Sequence, residues 1–334
     1  MNLIGHFSAR QGRTVQTAII GTGGFGRSYL AQARLVGGLA CRVAVDRDAG
    51  TAAAALASVG VDPARIVPCT DAAAARAAWD AGHWIAAGDL AVVADLPLDV
   101  VLEATGDPEA GARHAQLAIE AGHHVVMVTK ETDSVVGPIL SRMARDRGRV
   151  VAPVDGDQPS LLIGLATWAQ VIGLRIIAAG KSSEYDFVFD PATGQVVSNG
   201  VTVAAPGLGD WLDPADRPWP TVAAGRARAL HALPQRAVPD LCELTLVANA
   251  LGFVPDRADL HAPIARIPEV ADLMTDRGGL CRGRAGWTCS TACACPERSV
   301  SRAASSSPWP ATIPTRGTCC ATRATWCPAT GARR

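Results

Sequence analysis

A glycine-rich turn between an apolar run and a helix constrains the fold of this chain more than any other feature of the sequence. Residues 14–20 (TVQTAII) are typical of a buried strand, and residues 27–35 are typical of a helix. The turn between them reads GTGGFG, in which Gly21 permits a tight turn, Gly23 lets the backbone approach a pyrophosphate, and Gly26 allows close packing of helix and strand. The pattern predicts a dinucleotide-binding turn made of Gly21, Thr22, Gly23, Gly24, Phe25 and Gly26.

The next apolar run ends in a charged pair that bears on the choice of cofactor. Residues 40–45 predict a strand that ends at Asp46, 20 residues after Gly26. A carboxylate at this spacing accepts hydrogen bonds from the adenosine ribose hydroxyls and favours NAD. The adjoining Arg47 favours NADP instead, because a guanidinium pairs with a 2′-phosphate. Both cofactors, and a solvated Asp-Arg turn, remain open.

Strand and helix patterns alternate along the rest of the first half of the chain. They fall at residues 99–104, 108–121, 123–128, 135–147 and 149–154. The stretch 66–98 is longer than one crossover needs, and it predicts a helix at 72–81 with an irregular excursion. This alternation predicts an α/β fold with a Rossmann-type, doubly wound parallel sheet over residues 14–154.

Ligands of such a sheet bind beyond the carboxyl ends of its strands. Two further turns are therefore expected to face the cofactor, Thr105-Gly106 after one strand and Thr129-Lys130-Glu131 after the next. An ordinary turn explains Thr105 and Gly106 as well, since strands commonly end in such residues.

The two lysines are unusual in a chain whose other 29 basic residues are arginines. Lysine can release its proton near neutral pH and can act as a general acid or as a compact ammonium beside an alkoxide. Lys130 follows a strand expected to point at the nicotinamide. Lys181 follows an apolar run at 174–179 and precedes a polar cluster suited to a hydroxyl-rich substrate. A solvated surface position is the alternative for both.

An acidic turn, Val154 to Pro159 (VDGDQP), lies between the two lysines. Asp157 either caps the helix predicted at 160–171 or orients a proton donor, so the predicted catalytic residues are Lys130, Lys181 and Asp157. The predicted substrate-binding residues are Glu131, Asp155, Gln158, Ser182 and Glu184. Asp155, Asp157 and Glu184 could instead hold a divalent cation, although no spacing compels it.

The zero net charge of the chain hides two unlike parts. Residues 1–280 carry 23 basic and 30 acidic groups, so they offer no basic stripe for nucleic acid. No apolar run approaches the roughly 20 residues that a membrane span requires, and the first residues lack a secretory signal. We therefore expect a cytoplasmic protein whose partner is a small molecule, with neither nucleic acid nor membrane.

The tail at 281–334 has a different composition, with seven of the ten cysteines, eight arginines and one acid. It has no histidine and no repeated CxxC pair, so a zinc site is not indicated. A one-base shift in a GC-rich gene produces such a composition, and we expect this tail to be out of frame and disordered. Residues 1–13 are expected to be flexible, and residues 155–280 to form a smaller α+β catalytic and dimerisation domain.

Several segments together resemble a known family. The order GTGGFG, EATGDP, VTKETD, VDGDQPS and AAGKSSEYD resembles the homoserine-dehydrogenase-like NAD(P)-binding oxidoreductases, in the branch similar to 1-deoxy-D-xylulose 5-phosphate reductoisomerase. The resemblance covers residues 14–275 and implies that Lys130 lies in the active site. It also implies a homo-oligomer in the intact family form and a truncated second domain here. A later Asp–Lys pair of that family has no counterpart, which argues against homoserine as substrate.

The resemblance implies an NAD(P)-dependent dehydrogenase or reductoisomerase. Its expected substrate is a small polyhydroxylated or phosphorylated carbonyl compound. The alternative is a dinucleotide-binding sensor or an inactive truncated paralogue, which would bind the cofactor without turnover.

Overall fold

The computed structural model describes residues 12–275 and 277–281, and the backbone alone at 184–185, 238 and 287–294. The chain divides into two compact units, Met1–Val154 and Asp155–Arg334. Within the described residues, no helix is long and apolar enough to cross a membrane.

The first unit contains a seven-stranded parallel sheet in the order β3-β4-β2-β1-β5-β6-β7. The strands are β1 (Val15–Ile20), β2 (Leu39–Val45), β3 (Ile66–Cys69), β4 (Trp84–Ala87), β5 (Val100–Glu103), β6 (His124–Met127) and β7 (Val151–Pro153). The chain builds outwards from β1 in one direction through β2 and in the other through β5. The sheet therefore changes winding direction between β1 and β5, which confirms the predicted doubly wound fold.

Helices cover both faces of this sheet. They are α1 (Gly24–Ala33), α2 (Ala49–Ser58), α3 (Ala72–Asp80), α4 (Pro108–Glu120) and α5 (Lys130–Asp146). Leu30 of α1 and Leu56 of α2 pack in one apolar cluster, and Ile119 of α4 and Leu140 of α5 pack in another. Burial of both faces explains why the strands read as continuous apolar runs rather than as alternating patterns.

Two parts of the first unit differ from the sequence-based expectation. The stretch predicted as a helix with an irregular excursion contains two strands, β3 and β4, on either side of α3. Each has only four residues, too short to show a period. Helix α5 begins at Lys130, five residues before the predicted start at 135. Acidic residues in its first turn, Glu131 and Asp133, favour this early start, so Lys130 and Glu131 are helical.

The second unit contains a five-stranded sheet in the order β10-β9-β8-β12-β11. Its strands are β8 (Ala178–Asp190), β9 (Gln195–Ser198), β10 (Val201–Ala204), β11 (Ile264–Ala265) and β12 (Trp287–Ala294). Its helices are α6 (Gln158–Val171), α7 (Trp219–Ala229), α8 (Val238–Leu251) and α9 (Val270–Leu273). Strands β8, β9 and β10 are antiparallel, whereas β12 runs parallel to β8 and β11.

The strand predicted at 174–179 is displaced towards the C-terminus. Strand β8 begins at Ala178 and continues to Asp190, so Lys181 and Ser182 lie within a strand and not in a loop after one. The side chains of Lys181 and Ser183 are buried, as are those of Phe187 and Phe189. The buried face of β8 is therefore polar in its first half and aromatic in its second half. For this reason the alternation of apolar and polar residues that is typical of a strand is not visible in the sequence.

Part of the tail is a strand. The backbone of β12 pairs with β8 and β11, which differs from the disorder predicted for all of 281–334. The backbone N–H and C=O groups of β12 find hydrogen-bond partners in the strands on both sides. The composition of the tail gave no indication of this pairing. The remaining tail, with its proposed change of frame, and residues 1–11 lie outside the described residues.

Candidate functional site

The glycine turn between β1 and α1 is fixed by close backbone packing. Gly21 has φ +88°, and a Cβ atom there would lie 2.6 Å from the carbonyl carbon of Ala104 and 2.8 Å from the nitrogen of Thr105. A Cβ on Gly26 would overlap the carbonyl oxygen of Gly21. These two glycines are therefore required by the packing of the turn itself, as the sequence predicted.

Gly23 and Gly24 differ from Gly21 and Gly26, because nothing in the described structure lies within 4 Å of a Cβ built at either position. Gly23 is the N-cap of α1, and no side chain caps this helix. The first N–H groups of a helix have no intrahelical acceptor, and they bind anions well. The open space in front of them therefore fits a diphosphate, which protein packing alone does not explain.

A cleft of about 780 Å³ opens beside this turn, at the switch point between β1 and β5. Its walls bring together six of the predicted cofactor residues, Gly21, Thr22, Gly23, Asp46, Arg47 and Thr105. The other four, Gly24, Phe25, Gly26 and Gly106, do not line it.

Gly106 contributes in a different way. Its N–H donates to Oγ1 of Thr129 at 3.0 Å and so joins the two strand-end turns.

Asp46 follows β2 and is tied to the glycine turn. Its Oδ2 accepts from the N–H of Thr22 at 2.7 Å and from Oγ1 of Thr22 at 2.5 Å, and its Oδ1 accepts from the N–H of Arg47 at 2.8 Å. Partial burial acts to raise the pKa of Asp46, but these hydrogen bonds outweigh it and hold the pKa below its usual range. An ionised carboxylate has four acceptor sites, so it can still accept from a ribose hydroxyl.

Arg47 lies at the rim of the cleft. Its side chain is 90% exposed, and its Nε is 3.9 Å from Oδ1 of Asp46. The guanidinium therefore has room to approach a ligand phosphate, while Asp46 keeps its own hydrogen bonds.

A stripe of side chains on α4 forms another wall of the cleft. Ala110, Arg113, His114 and Leu117 follow the i, i+3, i+4, i+7 spacing of one helix face, and all four line the cleft. Asp107, which precedes Pro108, caps this helix by accepting from two N–H groups of its first turn at 3.0 and 2.9 Å. His114 is not among the predicted site residues, although this spacing after a capped helix start indicated a common face.

A fully buried carboxylate, Glu103, lies behind that wall at the end of β5. It accepts from the N–H of Thr105 at 3.1 Å and from Oγ1 of Thr105 at 2.5 Å, and Nδ1 of His114 is 3.7 Å from the same oxygen. Burial acts to raise the pKa of Glu103, but polar contacts of His114, Thr105 and Thr129 outweigh it and lower the pKa. Glu103 was not predicted as a site residue.

Lys130 begins α5 directly after Thr129, the N-cap residue. The N–H of Val128 donates to the backbone oxygen of Glu103 at 2.8 Å, which fixes this chain segment beside β5. Lys130 and Glu131 are both half-buried. The predicted active-site lysine therefore stands at the carboxyl edge of the sheet, after β6, whose neighbour β5 precedes Thr105.

Asp133, one turn after Lys130, is a buried carboxyl that the sequence reading did not single out. Its Oδ2 has no hydrogen-bond partner in the described part of the chain, and burial raises the pKa of Asp133 to about 6. A Cβ on Gly137 would overlap Oδ1 of Asp133, so glycine at 137 makes room for this carboxyl.

In the second unit, Lys181 lies in a buried polar cluster. Its Nζ is 2.7 Å from Oδ1 of Asp240, and it also donates to the carboxylate of Glu243. Ser183 Oγ donates to Oδ2 of Asp240 at 2.6 Å. Each of the four side chains is at least nine-tenths buried, and the cluster joins β8 to α8. Lys181 is therefore not the solvated surface lysine of the alternative interpretation.

Asp240 and Glu243 were missed as partners of Lys181. Asp240 precedes the apolar run at 241–248 and has the pattern of a helix cap, but the cap residue is Ala237, and Asp240 lies in the first turn of α8. Its side chain therefore points to Lys181 in place of the helix end. The i, i+3 spacing of two acids on an otherwise apolar helix was the available signal.

The acidic turn after β7 has local partners. Asp157 caps α6 and accepts from the N–H of Gln158 at 2.8 Å, which confirms the capping alternative, and Oδ1 of Asp155 accepts from the N–H of Gly156 at 2.8 Å. Among the described side chains, no group of three His, Cys, Asp or Glu is arranged to hold a metal. The side chain of residue 184, one of the three candidate cation ligands, lies outside the description.

Of the predicted catalytic residues, Lys130 belongs to the first unit, whereas Asp157 and Lys181 belong to the second. Asp157 begins α6, and Lys181 lies on β8.

Comparison with known proteins gives only distant structural likenesses. No protein-family model and no curated protein matches the chain. A 1-deoxy-D-xylulose 5-phosphate reductoisomerase from Zymomonas mobilis, solved with NADPH, shares 16% identity at a TM-score of 0.40, covering 72% of this chain and 59% of that one. The WlbA dehydrogenase from Bordetella pertussis, solved with NADH and UDP-GlcNAcA, shares 16% at 0.37, covering 53% and 48%.

An NAD binding oxidoreductase from Klebsiella pneumoniae shares 17% identity at a TM-score of 0.36, covering 53% of this chain and 43% of that one. The chain thus matches about half of the length of these proteins. At such identities and TM-scores, function has to be argued from the site of this chain itself.

Proposed function

We propose that this protein is an NAD(P)-dependent oxidoreductase. The observation that carries the proposal is the arrangement of the cleft, in which the uncapped N-terminus of α1, the open space at Gly23 and the ionised carboxylate of Asp46 meet at the switch point of a doubly wound sheet. The helix end suits a diphosphate and the carboxylate suits a ribose, and a dinucleotide contains both at this spacing. A bound nicotinamide supplies or accepts a hydride.

The residues of the first unit suggest how a carbonyl substrate would be handled. Reduction of a carbonyl requires a proton at the oxygen, and Nζ of Lys130 at the carboxyl edge of the sheet is the proposed donor. The ties between Thr129, Gly106 and Glu103 fix the start of α5 and so limit the positions that Lys130 can take. The roles proposed for Lys181 and Asp157 stay predictions, as do those of the substrate-binding residues.

We propose a small polyhydroxylated or phosphorylated carbonyl compound as the substrate class, and either a dehydrogenase or a reductoisomerase as the reaction class. The support is the resemblance of the segments around Lys130 and Lys181 to homoserine-dehydrogenase-like and reductoisomerase-like enzymes. Either NAD or NADP fits, because Asp46 and Arg47 both line the cleft. The intact family form is proposed to be a homo-oligomer in the cytoplasm.

The first test is a titration of the full chain with NADH and with NADPH, followed by the fluorescence of the reduced nicotinamide. Saturable binding is expected, and Arg47→Ala should weaken NADPH more than NADH. If neither cofactor binds to a chain that melts cooperatively, the proposal is wrong.

A second test separates an enzyme from a sensor. Phosphorylated and unphosphorylated ketoses and aldoses are screened for oxidation of the bound reduced cofactor. An enzyme should lose turnover in Lys130→Ala while it keeps cofactor binding. Saturable cofactor binding with no turnover across the screen would favour the alternative, a non-catalytic dinucleotide sensor or an inactive paralogue.

The composition of the tail supports a further proposal, that a one-base shift in the gene puts the tail out of frame from about residue 281. Resequencing the gene across the codons for residues 275–290 tests it, since an intact frame would restore an ordinary mixture of Lys, Glu, Leu and Asp codons there.

A further inference from the structure

His114 is placed to contact a ligand in the cleft, although nothing in the proposed chemistry uses it. It lies on the cleft-lining stripe of α4, with Ala110 one turn before it and Leu117 one turn after it. An imidazole between apolar Ala110 and Leu117 suits the face and edge of a flat ring. Arg113, the other polar residue of the stripe, is paired with Glu109 of the same helix, and the diphosphate is assigned to the end of α1.

The order of groups in a dinucleotide indicates which part reaches His114. A diphosphate at the end of α1 places the adenosine ribose beside Asp46, and the base must then lie farther along the cleft. The lining also includes the loops after β2 and β4, with Arg47, Gly88 and Asp89, and the stripe of α4. A base in this part of the cleft would contact the stripe that carries His114.

Glu103 orients the imidazole from behind. Oε2 of Glu103 and Nδ1 of His114 are buried and lack a hydrogen-bond partner in the described part of the chain, and Nδ1 is 3.7 Å from Oε1. A Cβ on Gly111 would lie 3.0 Å from Oε2, so the glycine makes room for the carboxylate under α4. A proton on Nδ1 is favoured beside a carboxylate, and in that tautomer Nε2 is an acceptor.

We propose that His114, oriented by Glu103, is the residue that selects adenine as the base of the bound dinucleotide, with Nε2 accepting a hydrogen bond from the exocyclic amine. This inference rests on the proposed function, because it needs a dinucleotide in the cleft. Adenine offers an N–H donor at that position, whereas hypoxanthine presents an oxygen acceptor that would face Nε2 without a hydrogen. His114 is thus a specificity-determining residue and Glu103 is its positioning residue.

The test compares each reduced cofactor with its hypoxanthine counterpart on the full chain. The wild type should bind NADH or NADPH about tenfold more tightly than the hypoxanthine form, the ratio expected for one lost hydrogen bond that leaves an acceptor unpaired. In His114→Ala the ratio should fall to about one, and in Glu103→Gln it should fall part of the way. Gln116→Ala, an exposed change on the same helix, should keep the wild-type ratio.

The outcomes separate the inference from the proposed function. If wild-type protein binds the adenine and hypoxanthine forms equally well, or if His114→Ala keeps the full preference, base selection by His114 is refuted and the dinucleotide site stands. If the wild type binds neither form, the proposed function fails as well. Since the wild-type ratio alone can overturn the inference, it remains testable even where a variant does not fold.

Discussion

Replacing Lys181 by methionine should strongly destabilise the second unit. Lys181 is 6% exposed, and the two carboxylates that it contacts, Asp240 and Glu243, are 2% and 1% exposed. Methionine keeps most of the volume and removes the ammonium, so two carboxylates would face each other without their common partner. Loss of one partner from a buried ion pair costs about 3–5 kcal/mol, because the remaining charge stays desolvated.

Urea unfolding of the full chain, followed by far-ultraviolet circular dichroism and tryptophan fluorescence, measures this effect. A matched control is Arg76→Met, which removes an exposed ion pair with Asp80 and should cost less than about 1 kcal/mol. A second control combines Lys181→Met with Asp240→Leu and Glu243→Leu. It should recover most of the loss, since an apolar set of similar volume leaves no buried charge. A loss below about 1 kcal/mol in the single variant would refute the reasoning.

Three further predictions concern the first unit. Gly23→Ala should abolish cofactor binding and leave the melting temperature nearly unchanged, because a Cβ at position 23 meets no protein atom. Gly26→Ala should also lower the melting temperature, because a Cβ at position 26 overlaps the backbone of Gly21. Thermal melts and NADH titrations of both variants distinguish the two effects. Asp46→Asn should weaken NADH binding about tenfold by the loss of a charged acceptor, measured by nicotinamide fluorescence, and unchanged affinity would contradict the ribose assignment. Asp133, whose pKa is raised to about 6, should lower the stability as the pH rises from about 3 to 7, on the order of 3 kcal/mol; the difference in urea unfolding free energy between the wild type and Asp133→Asn should fall by this amount across that range.

The sign of the Asp133 effect follows from proton binding. The unfolded carboxyl loses its proton near the ordinary value of 3.8, while the folded carboxyl keeps it up to about 6. Between these two values the folded state binds more protons, so the free energy of unfolding falls with rising pH. Asparagine does not titrate, so Asp133→Asn lacks this contribution and keeps every other titrating carboxyl, and the difference between the two stability curves isolates Asp133.

In the first unit, the sequence was sufficient to predict the role of a residue wherever a single local constraint explains its type. Gly21 and Gly26 were predictable because a side chain at either position meets backbone, and Asp107 because it precedes a proline at a helix start. Strands β3 and β4 were not, since four residues show no period. The start of α5 was missed because the sequence reading treated Lys130 as a strand-end loop residue.

The residues that were missed, such as Glu103 and Asp240, share a different property. The role of each depends on a partner that lies on another helix or strand. In the sequence, Glu103 is only the polar residue at which an apolar strand ends. Its role becomes visible in the fold, where α4 places Nδ1 of His114 3.7 Å from its carboxylate. Asp240 reads as a helix cap until β8 brings Lys181 beside it. No periodicity or local spacing encodes such a pairing, because the pairing is created by the packing of two elements.

Because only two of the 31 basic residues are lysines, the positions of these two lysines are informative. Lys130 lies in the first turn of α5, and Lys181 lies between two buried carboxylates, where a compact ammonium has a specific place. An arginine would not substitute simply at the second place, since its planar guanidinium is larger than an ammonium and would have to fit into a closely packed, buried space. Lys181→Arg should therefore destabilise the chain even though it keeps the charge. A composition bias towards arginine thus marks the positions where geometry, rather than charge, determines the residue.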